Sequence, residues 1–175
     1  MAKNVEIKAR IPSLDFAKLK DRVAGLADGK SVLLNQVDSF FDSQKGRLKL
    51  REFSDGKAEL LYYERPDLLG PKTSVYTRIE VDSAAELKGL LVASNGLLGV
   101  VAKQRELFFI GQTRIHLDQV EGLGTFLELE VVLDESETSA AGMAVAEELM
   151  RRLKVLPEQL ISNSYFDLLD GNIEG

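Results

Sequence analysis

The sequence contains no cysteine. This absence excludes disulfide bonds, thiolate zinc sites and a cysteine nucleophile. The chain also lacks any apolar run long enough to span a membrane, and no apolar segment follows a basic start at the N-terminus. Internal repeats, linkers and low-complexity tracts are missing as well, so we expect a single domain over residues 1–175. Together these absences favour a cytoplasmic protein with no membrane partner.

Positive charge is in deficit, since the formal net charge is -6 and the pI is near 5.0. This balance argues against a nucleic-acid partner, because neutralising a phosphate backbone requires a basic face. The basic residues are nevertheless concentrated in one place. Lys45, Arg47, Lys49 and Arg51 follow one another with no acid between them. A basic strand in an acidic protein indicates a local site for a polyanion.

Polar and apolar residues alternate along much of the chain, which is the pattern of half-buried strands. On the first of these, Glu6 and Lys8 share one face while Val5 and Ile7 share the other. The pattern predicts strands over 4–10, 33–42, 47–51, 58–65, 75–81, 98–109, 114–118 and 126–133, and helices over 14–28, 83–96, 136–154 and 157–161. Hairpin turn signals join most of the strands. We therefore expect an α+β fold with an antiparallel sheet whose apolar face is covered by helices.

The charged strand faces turn either to solvent or into the lumen of a closed sheet. Their signs are segregated, with basic residues at 47–51 and 103–105 and acidic residues at 128–130. Like charges on neighbouring strands repel each other, and a lumen full of charges is costly without a partner. A bound polyanion with a divalent metal would offset that cost. We therefore favour a binding site over a solvated face.

Four segments carry motifs in a familiar order. Residues 4–8 resemble a Glu-x-Glu-x-Lys signature, 36–42 a second-strand motif ending in an aromatic residue and Asp, 46–51 a basic third strand, and 103–130 two distal motifs. The chain thereby resembles the CYTH superfamily, the triphosphate tunnel metalloenzymes, and 103–130 is most similar to class IV adenylyl cyclases. The resemblance implies an eight-stranded antiparallel closed β-barrel, or tunnel, with covering helices. It also implies a triphosphate bound by Lys and Arg, with Mg²⁺ or Mn²⁺ bound by carboxylates.

The resemblance also implies residue roles by position. The expected metal ligands are Glu6, Glu128, Glu130 and Asp118. The expected triphosphate contacts are Lys8, Arg47, Lys49, Arg51, Arg65, Lys72, Lys103, Arg105 and Arg114. Catalysis is assigned to Lys8, Glu6 and Asp118. For the single histidine, His116, we favour a structural or substrate hydrogen bond over catalysis.

Asn4 departs from the motif, because the signature has its first Glu there. An amide oxygen can ligate Mg²⁺, but it brings no charge and cannot act as a general base. Three functions are therefore open. The first is a class IV-like adenylyl cyclase that converts ATP to cyclic AMP and pyrophosphate. The second is a triphosphatase acting on inorganic, thiamine or nucleoside triphosphates, and the third, motivated by Asn4, is a non-catalytic polyphosphate or nucleotide sensor. A homodimer through a sheet edge or helix face is compatible with each.

Overall fold

The computed structural model describes residues 2–170, which form eight strands and four α-helices. The strands are β1 (Ala2–Arg10), β2 (Val32–Phe41), β3 (Arg47–Phe53), β4 (Ala58–Glu64), β5 (Lys72–Glu80), β6 (Leu97–Ile110), β7 (Thr113–Val120) and β8 (Gly124–Leu133). The helices are α1 (Ser13–Leu26), α2 (Ala84–Asn95), α3 (Ser139–Leu153) and α4 (Tyr165–Leu169), and a 3₁₀ turn covers Pro157–Gln159. No helix in the described range is both long and apolar enough to cross a membrane.

The strands form one closed antiparallel barrel in the order β1-β5-β4-β3-β2-β6-β7-β8. β1 closes it, because this strand pairs with β5 on one side and with β8 on the other. Closure leaves the sheet without an edge strand and encloses the inner strand faces. The predicted α+β barrel with covering helices is therefore confirmed. Several element bounds differ from the expectation by one to three residues: α1 spans 13–26 rather than 14–28, β5 spans 72–80 rather than 75–81, and α3 spans 139–153 rather than 136–154.

The main hydrophobic core lies outside the barrel wall. Val5, Ile7 and Ala9 point outward from β1 and are buried beneath α1 and α3. Gly142 lets α3 approach closely, since a Cβ there would lie 2.9 Å from the Val5 side chain. A smaller cluster beneath α2 buries Phe41 of β2. Because the apolar faces are covered from outside, the polar faces of the same strands point into the lumen.

The C-terminal segment closes one end of the barrel. Tyr165 and Phe166 of α4 pack on inward-facing aromatic residues, with ring centroids 4.8 Å apart for Phe126 and Tyr165 and 5.2 Å apart for Phe40 and Phe166. Tyr165 itself is buried. The apolar residues of α4 thus pack onto the barrel, and they leave the lumen open towards its other end.

Candidate active site

The lumen is a cavity of about 940 Å³ surrounded by the inward-facing side chains of the barrel. All but three of the predicted site residues line it: Glu6, Lys8, Lys49, Arg51, Arg65, Lys103, Arg105, Arg114, Glu128 and Glu130. Asn4 and His116 line it as well. The three exceptions are Arg47, Lys72 and Asp118, which lie towards the closed end. Alternation along separate strands has therefore brought most of the predicted cations and carboxylates together.

A cluster of three cations converges on Asp38, which is only 1% exposed. Arg51 donates two hydrogen bonds of 2.7 Å to this carboxylate, and the ammonium groups of Lys49 and Lys103 lie 3.0 and 3.1 Å from it. Burial alone would raise the pKa of Asp38, but the three cations outweigh it and keep that pKa well below its usual value. Burial lowers the pKa of Lys103 to about 7 and that of Lys49 to about 8. The charge of this cluster therefore responds to pH near neutrality.

A second buried ion pair joins Arg105 to Asp118. Two hydrogen bonds of 2.7 Å connect them, and Arg105 also lies 3.3 Å from Glu128. The Tyr165 hydroxyl donates a 2.7 Å hydrogen bond to Asp118 as well. Burial tends to raise the pKa of Asp118, but Arg105 opposes this and the net effect is a lower value. The Asp118 carboxylate is thus already bound by two neighbours.

Three residues of β7 and β8 form a group suited to a metal ion. His116, Glu128 and Glu130 each offer one ligand atom, and these atoms all lie within 4.8 Å of one another. The Nδ1 atom of His116 is buried without a hydrogen-bond partner. Burial and then the neighbouring Glu128 raise the pKa of Glu130 to about 7. A divalent cation would relieve this repulsion and would give Nδ1 a partner, so the residues fit a metal.

Arg65 and Glu6 form a further ion pair in the lumen, 2.6 Å apart. The Nε and Nη2 atoms of Arg65 are buried without hydrogen-bond partners. Arg114 forms a comparable pair with Glu130 at 2.8 Å. Arg65 follows a strand that fits the family motif loosely, yet its unused donors make it as well placed for an anion as the other lumen cations.

Arg47 and Lys72 face inward but contact the C-terminal segment. Arg47 donates a 2.7 Å hydrogen bond to the Ser164 hydroxyl and lies 2.9 Å from Asp167. Lys72 donates hydrogen bonds to the carbonyl oxygens of Leu68 and Ser162. Both cations therefore hold the closing segment in place.

Sequence reasoning missed Asp38 as the centre of the cation cluster and Tyr165 as a lumen residue. A signal for Asp38 existed, because Gln36, Asp38 and Phe40 share one face of the second-strand motif. Tyr165 contacts Asp118 directly and lies 4.2 Å beneath the Lys8 ammonium. That placement depends on where the tail docks, for which the sequence offers no local signal.

One family model and three known proteins resemble this chain in sequence or structure. The model of the CYTH domain family matches residues 2–165. Adenylate cyclase CyaB of Aeromonas hydrophila is 25% identical over 97% of this chain and 90% of that protein. The structure of the PH1012 protein from Pyrococcus horikoshii OT3 superposes with a TM-score of 0.81 at 24% identity, covering 94% of this chain and 98% of the other. The Mimivirus capping enzyme triphosphatase superposes with a TM-score of 0.58 at 11% identity, covering 87% and 89%. The two structural likenesses bear on the fold alone.

Proposed function

Since this chain belongs to the CYTH domain family, we propose that it is a metal-dependent enzyme acting on a triphosphate bound in the tunnel, and that it converts ATP to cyclic AMP and pyrophosphate. One observation carries the proposal: a group of buried cations and the group of His116, Glu128 and Glu130 share the lumen of the closed barrel. This arrangement can neutralise a phosphate chain with lysine and arginine side chains on one side and a metal ion on the other. The likeness to adenylate cyclase CyaB along nearly the whole chain supports the cyclase over the hydrolase.

His116, Glu128 and Glu130 would hold Mg²⁺ or Mn²⁺, with Glu6 joining from the neighbouring strand β1, where it pairs with Glu130. When bound, the metal supplies positive charge to the phosphate oxygens. Asp118 was predicted as a further ligand, but its carboxylate is bound by Arg105 and Tyr165. We therefore assign Asp118 to orienting Arg105.

The lumen cations would bind and align the triphosphate. Arg51 and Arg105 offer planar guanidinium groups, which favour two-point contacts with phosphate oxygens. The ammonium groups of Lys8 and Lys103 lie over the Tyr165 ring, 4.2 and 5.7 Å from its centroid. Their ammonium groups would offset the negative charge that develops on the departing pyrophosphate. Arg65, Arg114 and Lys49 would complete the binding site, and Arg47 and Lys72 would act through the closing segment.

Asn4 favours the sensor among the alternatives. It is buried in the lumen, and its Oδ1 atom has no hydrogen-bond partner. A neutral amide in place of the first signature Glu fits a sensor that binds triphosphate without turnover. The triphosphatase uses the same cations, because water simply replaces the ribose hydroxyl as the nucleophile.

Product analysis tests the proposal. Pure protein is incubated with ATP and with inorganic and thiamine triphosphates, each with Mg²⁺ or Mn²⁺, and the products are separated by chromatography. We expect cyclic AMP and pyrophosphate from ATP. Lys49→Ala should lose this activity, whereas Lys45→Ala, an exposed lysine at the neighbouring turn, should retain it. Phosphate release without cyclic AMP would establish the triphosphatase, and tight binding without turnover would establish the sensor.

A separate measurement tests the metal group. His116→Ala should weaken Mn²⁺ binding about ten-fold or more, because it removes one of three ligands. Electron paramagnetic resonance of free Mn²⁺ measures this without any turnover. Asp21→Ala, at an exposed position on α1 outside the lumen, serves as the control. Equal Mn²⁺ affinity in His116→Ala and in the wild-type protein would exclude His116 as a ligand.

We further propose that residues 1–175 form one domain and that the protein is cytoplasmic. Its partner would be a nucleoside, organic or inorganic triphosphate, and neither a nucleic acid nor a membrane. A homodimer is a compatible assembly.

A further inference from the structure

The C-terminal segment reaches the barrel at Lys8, a lumen residue of β1. The backbone amide of Ile161 donates a 3.0 Å hydrogen bond to the carbonyl oxygen of Lys8. At the other end of the same residue, the Lys8 ammonium lies over the Tyr165 ring, 4.2 Å from its centroid. The segment therefore contacts both the backbone and the side chain of a proposed triphosphate contact.

The hydroxyl of Tyr165 contacts a second cation through a carboxylate. It donates a 2.7 Å hydrogen bond to Asp118, and the same carboxylate accepts two hydrogen bonds of 2.7 Å from Arg105. All three side chains are buried. The two bonds from Arg105 use its Nε and Nη2 atoms, so they fix the plane of the guanidinium group. One tyrosine thus contacts Lys8 with its ring and is linked to Arg105 by its hydroxyl.

Tyr165 is held in this position from both sides along the chain. Arg47 donates a 2.7 Å hydrogen bond to the hydroxyl of Ser164 and lies 2.9 Å from Asp167. The ring of Phe126 packs on Tyr165 with the centroids 4.8 Å apart. A ring that is already ordered stabilises an ammonium over its face without a further loss of conformational freedom when a ligand binds.

We propose that Tyr165 is a positioning residue of the triphosphate site, with its ring orienting the Lys8 ammonium and its hydroxyl orienting Arg105 through Asp118. The C-terminal segment is then a component of the site, although it lies outside the barrel strands. The inference rests on the proposed function, because the orientation of the two cations matters only if a triphosphate binds in the lumen.

Calorimetry with inorganic tripolyphosphate tests the two contacts separately. Each full-length variant is titrated once with EDTA and once with Mg²⁺ in the cold. Tyr165→Phe removes only the hydroxyl and should weaken binding about three-fold, because Arg105 loses part of its orientation. Tyr165→Leu also removes the ring and should weaken binding about ten-fold further. Tyr62→Phe is the matched control, since the Tyr62 hydroxyl bonds to the exposed Glu64 outside the lumen, and it should leave the affinity unchanged.

A second background shows whether the ring acts on Lys8. In Lys8→Met the ring has no Lys8 ammonium over it, so Tyr165→Phe and Tyr165→Leu should differ in tripolyphosphate affinity by less than about two-fold. A ring that merely supports the fold would give the same difference in both backgrounds. Circular dichroism and thermal unfolding of each variant report the fold and its stability independently of the ligand.

The outcomes separate the inference from the proposed function. No binding of tripolyphosphate to the wild-type protein in either buffer overturns the proposed function, and the inference with it. If the wild-type protein binds but neither Tyr165 variant weakens binding, or if the ring effect persists in Lys8→Met, the positioning role is refuted while the triphosphate site stands. A ring effect confined to proteins that retain Lys8 supports the role. If Tyr165→Leu does not fold, Tyr165→Phe decides: wild-type affinity refutes the role, and a loss that Tyr62→Phe does not share supports it.

Discussion

Replacing Asp38 by asparagine removes one negative charge from the most densely charged part of the lumen. The wild-type carboxylate is 1% exposed and accepts hydrogen bonds from Arg51, Lys49 and Lys103 at 2.7 to 3.1 Å. Asparagine has nearly the same shape but no charge. The three cations would then face each other in a buried space without a counter-ion.

Removing one partner of a buried ion pair costs about 3–5 kcal/mol of folding free energy. Lys103 and Lys49 limit this cost, because burial already lowers their pKa values to about 7 and about 8. Each can therefore lose its proton, and with it the charge that Asp38 would have to balance. The folded-state pKa values of these two lysines lie below their unfolded-state value. The folded state is therefore favoured most above the unfolded-state pKa, and this stability is lost as the pH falls through the lowered values. Without Asp38 both values fall further. The deficit of the variant should therefore be larger near about pH 6 than near about pH 9.

Urea unfolding followed by circular dichroism measures the difference at each pH. Glu148→Gln is the control, because Glu148 forms an exposed ion pair with Arg151 and should change stability by less than about 0.5 kcal/mol. Adding tripolyphosphate should stabilise Asp38→Asn more than the wild-type protein, since phosphate oxygens would replace the missing carboxylate. The reasoning is refuted if Asp38→Asn unfolds at the wild-type urea concentration, or if tripolyphosphate stabilises both proteins equally.

Two further changes have defined outcomes. Tripolyphosphate binding near about pH 8 should take up protons, because a bound polyanion raises the lowered pKa values of Lys49 and Lys103. Calorimetry in buffers of different protonation enthalpy counts these protons, and proton release would contradict the expectation. Gly99→Val should reduce stability by about 1–3 kcal/mol, since a Cβ there lies 2.5 Å from the Phe166 ring. Gly89→Ala on α2 should instead stabilise the protein by up to about 1 kcal/mol, because a Cβ at Gly89 has no heavy atom within 4 Å. Equal thermal shifts of the two variants would show that Phe166 does not limit the size of the side chain at position 99.

The inner residues of the barrel were largely predictable from sequence, because strand alternation assigns each side chain to a face without knowledge of the partner strand. Lys49, Arg51 and Lys103 were recognised in this way. Barrel closure was not predictable from local pattern, since it depends on β1 pairing with β5 and with β8, far away in sequence. Only the resemblance to a known family supplied it.

The partners of the charged residues required the register and the tail. Asp38 becomes the centre of a cluster because it pairs directly with Arg51 across β2 and β3. Arg47 shares the alternation of Lys49, yet it contacts Ser164 and Asp167 because the C-terminal segment docks beside it. No local pattern distinguishes these two cations. Docking of a distant segment is a tertiary event, determined by the apolar residues of α4.

The neutral side chain of Asn4 avoids a further negative charge in the lumen. Its neighbour on the same face of β1 is Glu6, which pairs in register with Glu130. Burial and Glu128 already raise the pKa of Glu130 to about 7, so this group of carboxylates repels itself in the absence of a cation. A further carboxylate at position 4, about 7 Å from Glu6 along the strand, would raise that repulsion and favour protonation. An amide offers an oxygen atom at this position without the added charge. We propose that the neutral Asn4 thereby lowers the cost of the metal-free lumen, and that a bound metal would be centred on His116, Glu128 and Glu130.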